Sequence, residues 1–284
     1  MIKFLNILDQ VITEGKRYQF DPETHYKLNM IVDQLWRDRN KVYRGKTTID
    51  QLPVKLLDGT EGLVRVVVNP RLSYQGLMGT KPSKSFDPAD LFIEVNPKNY
   101  ESRKNLYLIV YHELLHAVDP TQSVKWRPSY QMTYDETSDE KYWGHPIEFF
   151  AMTNEFLEGL VLEFERRIYG TRNIENLKYL EKSLKNILNH FARGEKLTRF
   201  SKDIFFRIND EHLEETSVSK ALENLTVDHP GVADYLAEHE DDPYYLIYIN
   251  MIKMYNPKIW PNFLKMLYST AEEIKRLIKS KKGV

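Results

Sequence analysis

The chain has 284 residues, 42% of them hydrophobic and 29% charged, with no cysteine and eight histidines. That length supports a sizeable core, and 12% aromatic content with 18 tyrosines excludes a disordered chain. The absence of cysteine excludes disulfide staples, iron–sulfur clusters and thiol nucleophiles, so any metal must be held by His, Asp or Glu. Forty Lys and Arg against 41 Asp and Glu give a net charge of −1, which supplies no one-signed field to attract nucleic acid or an acidic membrane.

The first fifteen residues, MIKFLNILDQVITEG, read as an amphipathic helix with Ile2, Leu5, Leu8 and Ile12 on one side. Asn6 and Asp9 interrupt the unbroken apolar stretch that a signal peptide needs, so the expected location is cytoplasmic, with a virion destination left open. The apolar stretches near 106–118 and 244–252 fall short of the roughly 20 residues of a membrane span. A second helix is expected from Pro22 to Arg39, with Asp21 as N-cap and Tyr26, Met30, Ile31 and Leu35 as its buried stripe.

Strand patterns follow at 62–69 and 90–96, each rich in β-branched or aromatic residues and ended by Asn-Pro. Between them RLSYQGLMGTKPSKSFDP reads as a long loop, punctuated by Gly, Pro and Ser. A helix is expected from Ser102 to Val118, stopped by Asp119-Pro120. Residues 121–144 have no clear period. From Pro146 helical periodicity runs to the end, with turns near Gly170, Gly194 and His229-Pro230-Gly231. The expected class is α+β and predominantly helical, with N-terminal helices over 1–45, a core over 46–194 and a helical C-terminal module over 195–284.

Residues 112–116 read His-Glu-Leu-Leu-His, an HExxH pattern. Histidines at i and i+4 leave a helix from one face, so both imidazoles can reach one ion, with Glu113 beside them as a base toward a water. Zinc suits that donor set as a redox-inert Lewis acid. At about 100° per residue, Tyr107, Val110, Leu114, Ala117 and Val118 fall opposite the histidines, so the helix is expected to have a broad apolar back and a narrow histidine face. The competing reading of that face is a merely solvated one.

With the strand LFIEVN just before the HExxH helix, residues 60–165 resemble the zincin metallopeptidases. The resemblance implies an edge strand at 90–96 lining the cleft and pairing with a peptide through its backbone, with Phe92, Ile93 and Glu94 as substrate contacts. A catalytic zinc needs a third protein ligand. The extended HExxHxxGxxH pattern fails, since positions 119 and 122 are Asp119 and Gln122. The other zincin solution is a glutamate on a later helix. Glu148 stands in the first turn of the helix opened by His145-Pro146, amid Ile147, Phe149, Phe150, Ala151 and Met152. The stretch HPxE…A also resembles phage-encoded zincin-like peptidases. As N3 of that helix, Glu148 has a competing reading as a capping carboxylate, and one residue could do both. His145 is the second candidate ligand, or a donor toward the substrate.

The thermolysin-like pattern has an Asp four residues after the glutamate, where this chain has Met152. Asp119, within about 60° of both histidines around the helix, is the candidate to support a ligand, or simply ends the helix. Tyr134 and Tyr142 are candidate donors for the developing oxyanion, and each also reads as a packed aromatic. The acidic run Asp135, Glu136, Asp139 and Glu140 and the basic C-terminal run from Lys275 to Lys282 read as solvated surface. The expected function is therefore a zinc-dependent peptidase acting on a protein or peptide, with neither nucleic acid nor membrane as partner. The rivals are a zincin-like structural or virion component stapled by its metal, and a nucleic-acid-directed zincin of the DNA-repair kind, which the charge balance disfavours.

Overall fold

The computed structural model describes residues 15, 17–55, 61–72, 76–80, 91–100, 102–118, 146–208, 242–255 and 257–283. Within these, helix α1 spans Pro22–Arg37, and strands β1 to β4 span Thr47–Lys55, Glu61–Val68, Gly76–Thr80 and Leu91–Val95. After a single 3-10 turn at Pro97–Asn99 come α2 (Arg103–Val118), α3 (Pro146–Gly170), α4 (Ile174–Arg193), α5 (Arg199–Ile208), α6 (Tyr244–Tyr255) and α7 (Trp260–Lys282). The class is α+β with a small mixed sheet and many helices. Two compact units divide the chain: Met1–Gln10, Tyr18–Glu136 and Phe150–Glu155 in the first, and Val11–Arg17, Thr137–Phe149 and Phe156–Val284 in the second.

In the first unit the strand order is β1-β2-β4-β3. β1 and β2 are antiparallel, β2 and β4 parallel, and β3 returns antiparallel to β4. The register aligns one buried row after another: Leu52 opposite Val64, Val64 opposite Leu91, Val66 opposite Ile93, and Val68 opposite Val95. These side chains are at most 3% exposed and form the sheet's half of the core. Helix α1 packs on β1 and α2, and α2 packs across β3 and β4.

Asp21 caps α1 as expected, its Oδ1 accepting from the Thr24 amide at 2.9 Å, with Pro22 in the first turn. The buried stripe is Thr24, Leu28, Ile31, Val32 and Leu35. Tyr26 and Met30, expected inside, are 67% and 48% exposed. At 100° per residue they lie off the stripe centred on Leu28 and Ile31, and nothing in their residue type signals it.

The strands expected at 62–69 and 90–96 are β2 and β4. β1 and β3 correct the sequence reading. β1 buries only Leu52 and Val54 and carries Pro53, a composition suited to an edge, where a missing N–H costs no ladder bond. β3, Gly-Leu-Met-Gly-Thr, lies inside the segment read as a loop, because two glycines in five residues mimic a turn.

In the second unit, Phe156 is fully buried and stacks on Phe205 with ring centroids 5.6 Å apart. Phe191, Tyr245 and Phe263 ring the same site. The fully buried carboxylate of Glu163 accepts from both Arg166 and Arg167, and Arg167 also reaches Asp203 at 2.7 Å. The turns expected at Gly170 and Gly194 are present, Gly194 ending α4 with φ +72°. His229 to Gly231 lie outside the described residues. Lys282 pairs with Glu181 at 2.8 Å, in keeping with a solvated basic helix end. Among the described residues no helix is long and apolar enough to cross a membrane.

Candidate metal centre

Helix α2 spans the expected segment almost to the residue, but its burial differs from the expectation of a narrow polar face. Leu106, Tyr107, Leu108, Val110, Tyr111, Leu114, Leu115, His116, Ala117 and Val118 are all buried, so apolar groups enclose it on nearly every side. His116 is only 7% exposed and His112 is half-buried. The merely solvated face is therefore not what the fold builds. The histidines sit in a partly dry environment where each ring nitrogen needs a partner.

They face each other. The rings are 4.7 Å apart at 77°, and Nε2 of His112 lies 3.0 Å from Nε2 of His116. On its other nitrogen, His112 Nδ1 lies 2.8 Å from Oε2 of Glu155, a residue of α3 within the same unit. A carboxylate against Nδ1 holds the proton there and directs the Nε2 lone pair toward His116. Two Nε2 atoms at this separation need a hydrogen or a metal cation between them, because two lone pairs would repel, and a neutral N–H donated by His116 satisfies the contact when no metal is bound. Two imidazoles on one tetrahedral zinc place their nitrogens about 3.3 Å apart, so the pair fits that ion with a small adjustment.

Glu155 escaped the sequence reading. It lies in a stretch of α3, from Phe149 to Leu160, in which every residue is buried. A carboxylate in such a stretch requires a partner, and that was the signal available. Asp119, expected to support a ligand, lies outside the described residues; Glu155 makes a contact of that kind at His112.

A second group near the centre also went unread. Tyr100, which follows the 3-10 turn, is 8% exposed, and its hydroxyl has no hydrogen-bond partner among the described residues. Burial, reinforced by the carboxylates of Glu113 and Glu155, holds its phenol well above the usual tyrosine range. It stays protonated, a neutral donor beside the glutamate of the HExxH pattern, which is itself half-buried.

The other expected site residues divide into two groups. Tyr134, Tyr142 and His145 lie outside the described residues, as does the acidic run at 135–140. Glu148 is placed on the first turn of α3, but its side chain is outside what is described. Among the described residues no three His, Asp or Glu side chains converge to hold an ion, so the described donor set stops at two histidines. The edge expected at Phe92, Ile93 and Glu94 requires correction. β4 is paired on both sides, with β2 and with β3, so its backbone has no ladder groups left for a peptide. Ile93 is fully buried in the sheet core, and Glu94 is taken up by Lys46 and by Asn69 Nδ2 at 2.7 Å. The edge beside α2 is β3.

Comparison with known proteins finds no matching family model, no matching curated protein and no matching solved structure.

Proposed function

We propose that the protein is a zinc-dependent peptidase. The observation that carries this reading is the His112–His116 pair, Nε2 to Nε2 at 3.0 Å, with His112 held from behind by Glu155. These two histidines would hold the metal, with Glu148 as the third ligand expected from the sequence. Bound there, zinc would supply Lewis-acid polarisation of the scissile carbonyl and of water. Glu113 takes the proton from the attacking water and delivers it to the leaving amine. His145 and Tyr142 remain the candidates to donate to the developing oxyanion.

The substrate is a protein or peptide. Its docking by strand addition, expected at 90–96, moves to the outer edge of β3, which packs on α2. The test is Glu113→Gln. The variant should bind zinc as the unaltered chain does and lose hydrolysis of a broad peptide library. Retained hydrolysis contradicts the role of Glu113.

The second reading, a metal-stapled binding protein of the cytoplasm or a virion, is favoured by the burial of His116 and Glu155, which suits a closed site. Stoichiometric zinc without any peptide cleavage would select it.

A further inference from the structure

The backbone of Tyr18 bridges α2 and α3 one residue away from each partner of the His112–Glu155 bond. Its N–H donates to Asn154 Oδ1 at 2.6 Å, and its carbonyl accepts from the Tyr111 hydroxyl at 2.9 Å. Asn154 is fully buried and donates its own amide to the Phe150 carbonyl at 2.8 Å, which fixes Oδ1 as the acceptor toward Tyr18. Tyr111 is 2% exposed. Three edge-to-face ring contacts brace the bridge: Tyr18 on Phe20 at 5.2 Å, Phe20 on Tyr111 at 5.4 Å, and Tyr18 on Phe150 at 5.9 Å. All of these residues belong to one unit.

Apolar packing sets the spacing and approximate crossing of two helices but leaves small rotations inexpensive. Two directional bonds to a single peptide group restrict them, and a buried bond of this kind is costly to leave unmade. His112 and Glu155 are the next residues along each helix, and their contact tolerates misplacement of only about half an ångström. We infer that residues 18–20 are a positioning strap for the metal centre, with Tyr111 and Asn154 as its anchors, so that metal affinity depends on a segment far away in sequence. This inference rests on the metal reading proposed above.

The test uses the full chain and two readouts with metal alone. One is zinc affinity by competition with a chromophoric chelator, and the other is the visible spectrum of the cobalt(II)-loaded protein. Tyr111→Phe and Asn154→Ala are compared with the unaltered chain, with His112→Ala, and with Ile278→Val, a conservative change in the second unit's core. Tyr111→Phe and Asn154→Ala should weaken zinc by about threefold to tenfold and shift the cobalt bands, less than direct partners of a ligand do. Ile278→Val should leave both readouts unchanged. Unchanged affinity and spectra in the two strap variants, with His112→Ala abolishing binding, overturn the strap alone. Cobalt binding that does not depend on His112 overturns the metal reading and the strap together. If Asn154→Ala does not fold, Tyr111→Phe decides, since it removes a single oxygen atom from an otherwise unchanged ring.

Discussion

Replacing Glu155 probes the metal centre without touching a ligand or the base. Its Oε2 lies 2.8 Å from His112 Nδ1, within the range of a charge-assisted bond. Such bonds contribute about 1.5–3 kcal/mol, against about 0.5–1.5 kcal/mol for a neutral pair. Glu155→Gln keeps an acceptor of the same length but removes its charge, a loss of about 1–1.5 kcal/mol, or close to tenfold in zinc affinity. Glu155→Ala removes the bond and leaves a buried ring nitrogen to find another partner. The expected loss is up to about 100-fold, as for other supports of ligating histidines. The assay is chelator competition at neutral pH, with circular dichroism confirming that each variant is folded. The order unaltered chain, Gln, Ala in falling affinity is the prediction. Equal affinity in all three would show that Glu155 does not hold His112 for a metal.

The Tyr18 phenol is pushed up to about 12 from 10, chiefly by burial and then by Asp21. Between those values the folded chain holds a proton that the unfolded chain has lost, so stability falls as pH rises from 10 to 12, by a few kcal/mol at most. Alkaline urea titrations should show that slope and Tyr18→Phe should flatten it; an identical slope in the variant contradicts the assignment. Tyr100→Phe removes a buried hydroxyl that has no partner among the described residues, so thermal unfolding should shift little or upward, worth at most about 1 kcal/mol. A loss of more than about 2 kcal/mol would mean that the hydroxyl is bonded in solution. Phe156→Ala empties the centre of the second unit's aromatic cluster and should cost about 3–5 kcal/mol in denaturant titration. A cost below about 1 kcal/mol would show that the cluster does not hold that unit together.

The features legible in the sequence are those whose signal is local. The valine-rich β2 and the β4 strand announce themselves by residue type, α1 by its Asp21 cap, and α2 by the segment between Ser102 and Val118. The two histidines are four apart on one helix, so their meeting needs only helix geometry. What escaped is non-local. Strand order places β4 in the sheet interior and β3 at the edge, and no periodicity within either strand records it. Glu155 reads as one carboxylate among several on α3 until α2 is brought beside it. The link from Tyr18 to Tyr111 and Asn154 spans 93 and 136 positions and runs through a backbone group, which side-chain identity does not disclose.

Whether His112 and His116 hold a metal is decided by the metal content of the purified chain and of His116→Ala, by elemental analysis after dialysis against trace zinc. One zinc per unaltered chain and essentially none in the variant, with both folded, is the expected result. Zinc absent from the unaltered chain, or retained at full stoichiometry in His116→Ala, would contradict it.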